Sequence, residues 1–251
     1  MEAAEYERLA AAEDRLWYFR ALRERVIDAL RRTGVPDNAV VLDAGCGTGG
    51  MLRGLSAWSS GAVLRGIDVS PLACERAAAA GFDVREGSVE EIPFGDGEFD
   101  AIVSLDVLTQ VEVPLLALVE FFRCLKPGGV LVLNGAALPW LWSYHDERVQ
   151  SRRRLTRRRT LALVREAGLR VEFATYWNCF LLPLVAARRK LLPRRDGSSD
   201  VRPPVPVVNE LCLGVAWLER LLNRTGLPLP IGSSLFVVAR RPARVAKVRL
   251  Q

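Results

Sequence analysis

The 251-residue chain has one histidine, two methionines and three lysines among its 35 basic residues. It also lacks any long apolar run. A membrane-spanning helix needs about 20 apolar residues, whereas the apolar stretch Phe180 to Ala187 in the C-terminal half covers only eight. No transmembrane segment is expected. Residues 1–15 carry Glu2, Glu5, Glu7, Glu13 and Asp14 where an export signal has a basic start and an apolar core. The five cysteines (46, 74, 124, 179 and 212) are odd in number and scattered, without CxxC or Cys/His clustering. This points to reduced thiols in a cytoplasmic protein and to no metal site. With half of its residues apolar and a quarter charged, the chain is not disordered, collagenous or disulfide-scaffolded. Its length suits one decorated domain.

Charge is divided unevenly. Residues 1–134 hold 13 basic and 21 acidic side chains, whereas residues 135–251 hold 22 and 8. The basic half contains a run at Arg148, Arg152, Arg153, Arg154, Arg157, Arg158 and Arg159, and a second at Arg188, Arg189, Lys190, Arg194 and Arg195. Such clusters attract phosphates, carboxylates, anionic lipid or nucleic acid. Solvated helix faces rich in arginine remain the plain alternative.

The hydrophobic pattern alternates between strand and helix. Residues 2–32 read as a helix with a stripe at Leu16, Phe19, Leu22, Val26 and Leu30. Strands are expected at Ala39 to Leu42, Val63 to Ile67, Phe82 to Arg85, Phe99 to Leu105, Val130 to Asn134, Leu169 to Ala174 and Ser234 to Ala239. Helices fill the gaps, one of them opened by Ser70-Pro71. This order predicts a parallel sheet covered on both faces. Residues 176–233 break the rhythm, with helices expected over Trp177 to Leu192 and Val208 to Leu222 and a proline-rich hinge over Pro193 to Pro206. We therefore divide the single domain into a helical cap (1–36), a core (37–175), a helical insertion acting as substrate lid (176–233), and a last strand with its tail (234–251).

The strongest motif is VVLDAGCGTGG, Val40 to Gly50. Gly45, Gly47 and Gly49 fall at a strand-to-helix turn, where missing side chains let backbone approach a ligand. Asp68, about 20 residues on, ends the next strand and is placed to bond ribose hydroxyls. Asp43 precedes the first glycine by two residues, and the run D-x-G-x-G-x-G departs from the dinucleotide pattern G-x-G-x-x-G. A carboxylate at that point disfavours pyrophosphate and favours a cation such as an amino-acid ammonium. Adenosine joined to an amino acid is S-adenosylmethionine.

With EGSVEEIPFGDGEFDAIVSLDVL (86–108) and FFRCLKPGGVLVLN (121–134), the sequence resembles the class I S-adenosylmethionine-dependent methyltransferases, in the ubiquinone/menaquinone-type small-molecule branch. The resemblance implies a Rossmann-like seven-stranded, mostly parallel sheet with an antiparallel last strand. It also implies cofactor contacts: Asp43, Gly45, Cys46 and Gly47 on the methionine part, and Asp68 and Val69 on ribose. Ser88 and Val89 would lie beside adenine, and Ser104 and Leu105 along the sulfonium. The family often has an acid where Ser88 stands. The flanks Trp17-Tyr18-Phe19-Arg20, LPWLWSYHDE (138–147), RRRLT (152–156) and PIGSSLFVVAR (230–240) look like an uncharacterised bacterial subgroup. Where relatives commonly carry Glu-His after the fourth strand, this chain has Thr109-Gln110; Ser151 and Leu155 replace a histidine and a tyrosine of the subgroup.

The implied activity is methyl transfer to a small acceptor, lipophilic or anionic, driven mainly by positioning for in-line displacement. His145 is the candidate general base, with Tyr144 and Asp106 behind it. Trp17, Tyr18, Trp140, Trp142 and Trp177 could wall an apolar pocket or serve as plain packing. The stretch 180–195 suits a helix on the inner, anionic membrane surface, a grip on a lipid-linked or phosphate-bearing acceptor, or a core cap with its arginines in water. Two alternatives stay open: a nucleic-acid methyltransferase drawing on the basic half, and a catalytically inactive cofactor-binding relative. Against the former, Ser104-Leu105-Asp106-Val107 stands where base-methylating enzymes carry an Asn/Asp-Pro-Pro-aromatic motif.

Overall fold

The computed structural model describes residues 10–191 and 204–243. In chain order its elements are α1 (Trp17–Arg32), β1 (Val40–Ala44), α2 (Gly50–Trp58), β2 (Val63–Asp68), α3 (Pro71–Ala79), β3 (Asp83–Glu86), β4 (Phe99–Leu105), α4 (Pro114–Cys124), β5 (Leu125–Ala136), α5 (Tyr144–Arg148), α6 (Arg157–Glu166), β6 (Arg170–Trp177), α7 (Leu182–Leu191), α8 (Pro206–Arg224) and β7 (Ser234–Arg240). A single 3-10 turn, Pro139–Leu141, leads into α5.

The seven strands form one sheet in the order β3-β2-β1-β4-β5-β7-β6. β7 inserts between β5 and β6 and runs antiparallel to both, and the other pairings are parallel. Period-two alternation sends successive side chains to opposite faces. Leu42, Ile102, Leu131 and Leu133 meet Leu118 and Phe121 of α4 and Val164 of α6. On the other face Val41, Val103, Val130 and Val132 meet Leu22, Val26 and Leu30 of α1, Leu55 of α2 and Ala216 of α8. Both faces being covered, the central strands read as near-continuous apolar runs.

Several boundaries differ from expectation, each for a local reason. Within the described residues the first helix is interrupted: a helical turn ends at Ala12, residues 13–15 form a turn, and α1 starts at Trp17. Leu16 serves as its N-cap residue and packs with Ala12 in a small separate cluster. β5 begins at Leu125 because the backbone pairs Leu125 with Phe99 before the Gly128 turn. Trp177 does not open a helix. It closes β6, Asn178 follows with φ of 59°, and α7 starts only at Leu182. The proline-rich hinge lies mostly outside the described residues. Ser70 caps α3 as its type suggests, its Oγ accepting from the Ala73 N–H at 3.4 Å.

β1 pairs with β2 on one side and β4 on the other, so strand order reverses there. Ligands bind beyond the carboxyl ends of strands at such a reversal.

Candidate active site

A cavity of about 1020 Å³ opens at that point, walled by the ends of β1, β2 and β4, the start of α1, α5, and α7. Among the sequence-predicted residues, Asp43, Gly45, Cys46, Gly47, Asp68, Val69, Ser88, Val89, Leu105 and His145 all reach it. Ser104 does not. Strand alternation turns it away from the cavity, and its Oγ donates to the Ala44 carbonyl at 3.0 Å, tying β4 to β1. Trp17 and Tyr18 line the cavity, whereas Trp140 and Trp142 do not. Trp177 is fully buried beneath Tyr18, the two rings stacked at 5.0 Å.

The glycine loop is built for close approach. Gly45 has φ of +86°, and a Cβ there would lie 2.2 Å from Val107 Cγ2. Its N–H and that of Cys46 donate to the Ile67 carbonyl at 2.8 and 2.9 Å. Asp68 braces the same loop: one carboxylate oxygen accepts from the Gly47 N–H at 2.9 Å and the other from the Ser70 N–H at 3.0 Å.

Asp43 is 1% exposed and its Oδ2 has no hydrogen-bond partner in the structure. Burial, with the nearby Asp68 and Glu13 charges, pushes its pKa up to about 8. A buried carboxylate among other carboxylates, with an orphaned oxygen, is a site made for a cation. An amino-acid ammonium meets that demand at the unpartnered Oδ2. Sequence reasoning missed Glu13, whose acidity served only to argue against an export signal. It accepts from Thr48 Oγ at 2.9 Å and from Arg53, clamping the segment before α1 onto the glycine loop. Nothing local marks this contact across 35 residues.

A second polar cluster sits at the end of β4. Asp106 follows the strand with φ of 62°, an uncommon conformation for a residue with a side chain. Tyr18 Oη donates to Asp106 Oδ2 at 3.2 Å, and Asn134 Nδ2 donates to Oδ1 at 3.1 Å. Asn134 is itself oriented by Trp177 Nε1, which donates to its Oδ1 at 2.7 Å. Burial raises the Asp106 pKa to about 6 against the lowering effect of these donors and of Arg154. Burial also raises the Tyr18 phenol, keeping it protonated as a donor.

The arginine run divides by role. Arg154 is buried and grips Asp146 with two donors, Nε at 2.8 Å and Nη2 at 3.2 Å, while Nη1 donates to the Ala137 carbonyl at 2.6 Å. Asp146 also closes a capping box with Ser143 at the start of α5, so this pair holds the helix that carries His145. Arg153 donates to the carbonyls of Leu108, Val111 and Glu112. Arg152 lines the cavity, and Arg158 and Arg159 face solvent. Arg154→Leu removes the bidentate partner of buried Asp146 and leaves it only Arg189, 3.8 Å away, and Ser143, so the expected cost is about 3 kcal/mol. Denaturant titration checks it, and an unchanged midpoint would overturn the role given to the pair.

Among the described residues no helix is long and apolar enough to cross a membrane, and no cluster of three or more His, Cys, Asp or Glu could hold a metal ion.

Residues 42–133 match the family described as a methyltransferase domain. Over these residues the chain is similar to a methyltransferase domain. The chain is 34% identical over 163 residues to malonyl-[acyl-carrier protein] O-methyltransferase of Enterobacter lignolyticus, covering 61% of this chain and 63% of that protein. It is 32% identical over 121 residues to 2-methyl-6-phytyl-1,4-hydroquinone methyltransferase of Synechocystis sp., covering 45% and 35% respectively. The chain thus spans less than two thirds of these curated relatives. The fold is shared with the complex between the Haloferax volcanii Trm112 methyltransferase activator and a methyltransferase, at a TM-score of 0.64 and 24% identity over 94% of both chains.

Proposed function

We propose that this protein transfers the methyl group of S-adenosylmethionine to a small acceptor that is lipophilic or anionic. The observation that carries the reading is the continuity of the cavity. At one end stand Asp43, Gly45 and Asp68; at the other, α7 contributes Leu184 and Val185 and then, one turn on, Arg188 and Arg189. Ligand pockets run to roughly 1,000 Å³ at the upper end, which leaves room for a second molecule beside a cofactor. The relatives named for malonyl-[acyl-carrier protein] and for a phytyl hydroquinone fit the anionic and the lipophilic halves of that wall.

Asp43 would hold the amino-acid ammonium, Asp68 the ribose hydroxyls, and Ser88 and Val89 would lie along the adenine. The bound cofactor supplies an electrophilic methyl on a sulfonium. The chain's own work is alignment: α1 and α7 narrow the acceptor side, and Trp17, Tyr18 and Leu105 present apolar surface where positive charge is dispersed. In this reading α1 is the cap and the insertion is the lid. Between the candidate bases His145 and Asp106, we assign proton acceptance to Asp106. It is held by two donors at a strand end, and its pKa of about 6 leaves it ionised at neutral pH. His145, on α5, then lines and orients the acceptor. The stretch 180–195 belongs to this wall over its described part. Arginines 153 and 154 spend donors inside the fold, which favours a small acceptor over nucleic acid.

Isothermal titration with S-adenosylmethionine, S-adenosylhomocysteine and NAD, repeated on Asp68→Ala, tests the cofactor end. We expect the two sulfur ligands to bind and NAD not to, with affinity lost in the variant. Failure of both sulfur ligands to bind would sink the proposal.

A further inference from the structure

Helix α8 is inside out. Its buried positions are Asn209, Cys212, Ala216, Glu219 and Asn223, three of them polar. Each polar one is anchored inward. Asn209 Oδ1 accepts from the Trp17 N–H at 2.9 Å and its Nδ2 donates to the Arg15 carbonyl at 2.9 Å. Glu219, fully buried, accepts from the N–H groups of Asn178 and Phe180 at 2.6 and 2.7 Å. Asn223 accepts from Arg25 Nη1 at 2.5 Å. The outward face carries Val207 (72% exposed), Leu211 (65%), Leu218 (46%) and Leu221 (44%), with Trp217 (52%) alongside. Steps of four, seven and three residues set the first four on one face. A helix packed on a water-soluble core carries its apolar stripe inward. Here the inward stripe is given to hydrogen bonds, and the apolar one is left out as a contiguous patch rather than as scattered side chains.

Three observations decide what covers it. The patch runs on into the cavity mouth, because Val208 of α8 and Leu184 of α7 are both exposed and both line the cavity. The flanking α7 ends in Lys190, which is exposed, after Arg188 and Arg189 at the cavity wall, and the half of the chain holding both helices has 22 basic against 8 acidic residues. The outer face includes a tryptophan, whose ring suits a boundary between apolar and wet phases. A second copy seated through this face would set the two basic clusters against each other. An anionic lipid surface takes both the leucines and the cations.

We propose that the outer face of α8 docks this protein onto an anionic membrane surface, with the cavity mouth turned toward the lipid. The inference goes beyond the methyl-transfer reading, and it stands or falls separately from cofactor binding.

The test is co-sedimentation of the full chain with vesicles of pure phosphatidylcholine and of phosphatidylcholine mixed with phosphatidylglycerol. The variants are Leu211→Ser/Leu218→Ser/Leu221→Ser and, separately, Lys190→Gln. Thermal melting and S-adenosylhomocysteine titration establish that each variant folds and keeps the cofactor end. We expect the parent to sediment with the mixed vesicles, less so at high salt. The triple variant should lose on the order of tenfold or more in vesicle affinity, and Lys190→Gln should lose affinity for the mixed vesicles only. Failure of the folded parent to bind either vesicle would overturn the proposal. So would equal binding by parent and triple variant, or a parent dimer that the triple substitution splits into monomers without any change in vesicle binding.

Discussion

Asp43→Asn is expected to move cofactor affinity and ligand-free stability in opposite directions. The carboxylate is buried beside Asp68 and Glu13 with one oxygen unsatisfied, and its pKa is raised to about 8. In the unfolded chain the same group ionises near pH 4. Between about pH 4 and pH 8 the folded state therefore binds the extra proton, and its stability falls as pH rises through that window. Asparagine does not ionise, so the penalty disappears. The ligand-free variant should match the parent near pH 4 and gain about 1 kcal/mol or more at pH 8, raising the melting temperature by about 2–4 °C per kcal/mol. Affinity for S-adenosylmethionine should fall about 100-fold, since truncating one partner of a buried charge pair costs about 2–5 kcal/mol. Binding to the parent at neutral pH should release a proton, because the ligand's ammonium favours the ionised carboxylate. Titration calorimetry in buffers of different ionisation enthalpy reads that proton, which Asp43→Asn should not release. Equal affinity in parent and variant would remove Asp43 from the cofactor end.

Asp106→Asn is expected to lower turnover by about 10²–10⁴-fold while leaving S-adenosylhomocysteine affinity unchanged. The carboxylate accepts from Tyr18 and Asn134 and has a pKa near 6. As a proton acceptor it works only when ionised, so the rate for a protonated acceptor should rise with pH through about 6 and then level. The asparagine variant should show no such limb. Tyr18→Phe withdraws a donor that lowers this pKa, so its limb should shift to higher pH with the plateau largely kept. His145→Gln should alter KM more than kcat. If His145→Gln removed the limb and Asp106→Asn kept it, the two assignments would exchange. These profiles are measured on an acceptor found by screening carboxylate, phosphate and phenol compounds with apolar tails.

The residues proposed for the cofactor end could be picked out in sequence because they are close together along the chain. One strand-to-helix turn supplies Asp43, Gly45, Cys46 and Gly47, and the next strand end supplies Asp68 and Val69. Apolar runs between glycines fix such turns locally, so spacing alone carries the chemistry. Strand count, the two-faced sheet and the place of Ser70 followed in the same way, from period-two and period-three-to-four patterns. Ser104 shows where that logic stops: one step of strand alternation separates a cavity wall from a backbone brace.

Only the tertiary structure brought Tyr18, Asp106, Asn134 and Trp177 together, across separations of up to 116 residues between hydrogen-bonded partners. It alone placed Glu13 on the glycine loop and sorted the arginines into anchors, cavity wall and solvent face. It also turned α8 over. Periodicity shows that a helix has an apolar stripe, not which side the protein keeps. The buried partners decided that: the backbone amides of Trp17, Asn178 and Phe180 and the guanidinium of Arg25 each needed an acceptor, and Asn209, Glu219 and Asn223 supply it. Leaving those groups unpaired in the interior costs more than leaving leucines at the surface.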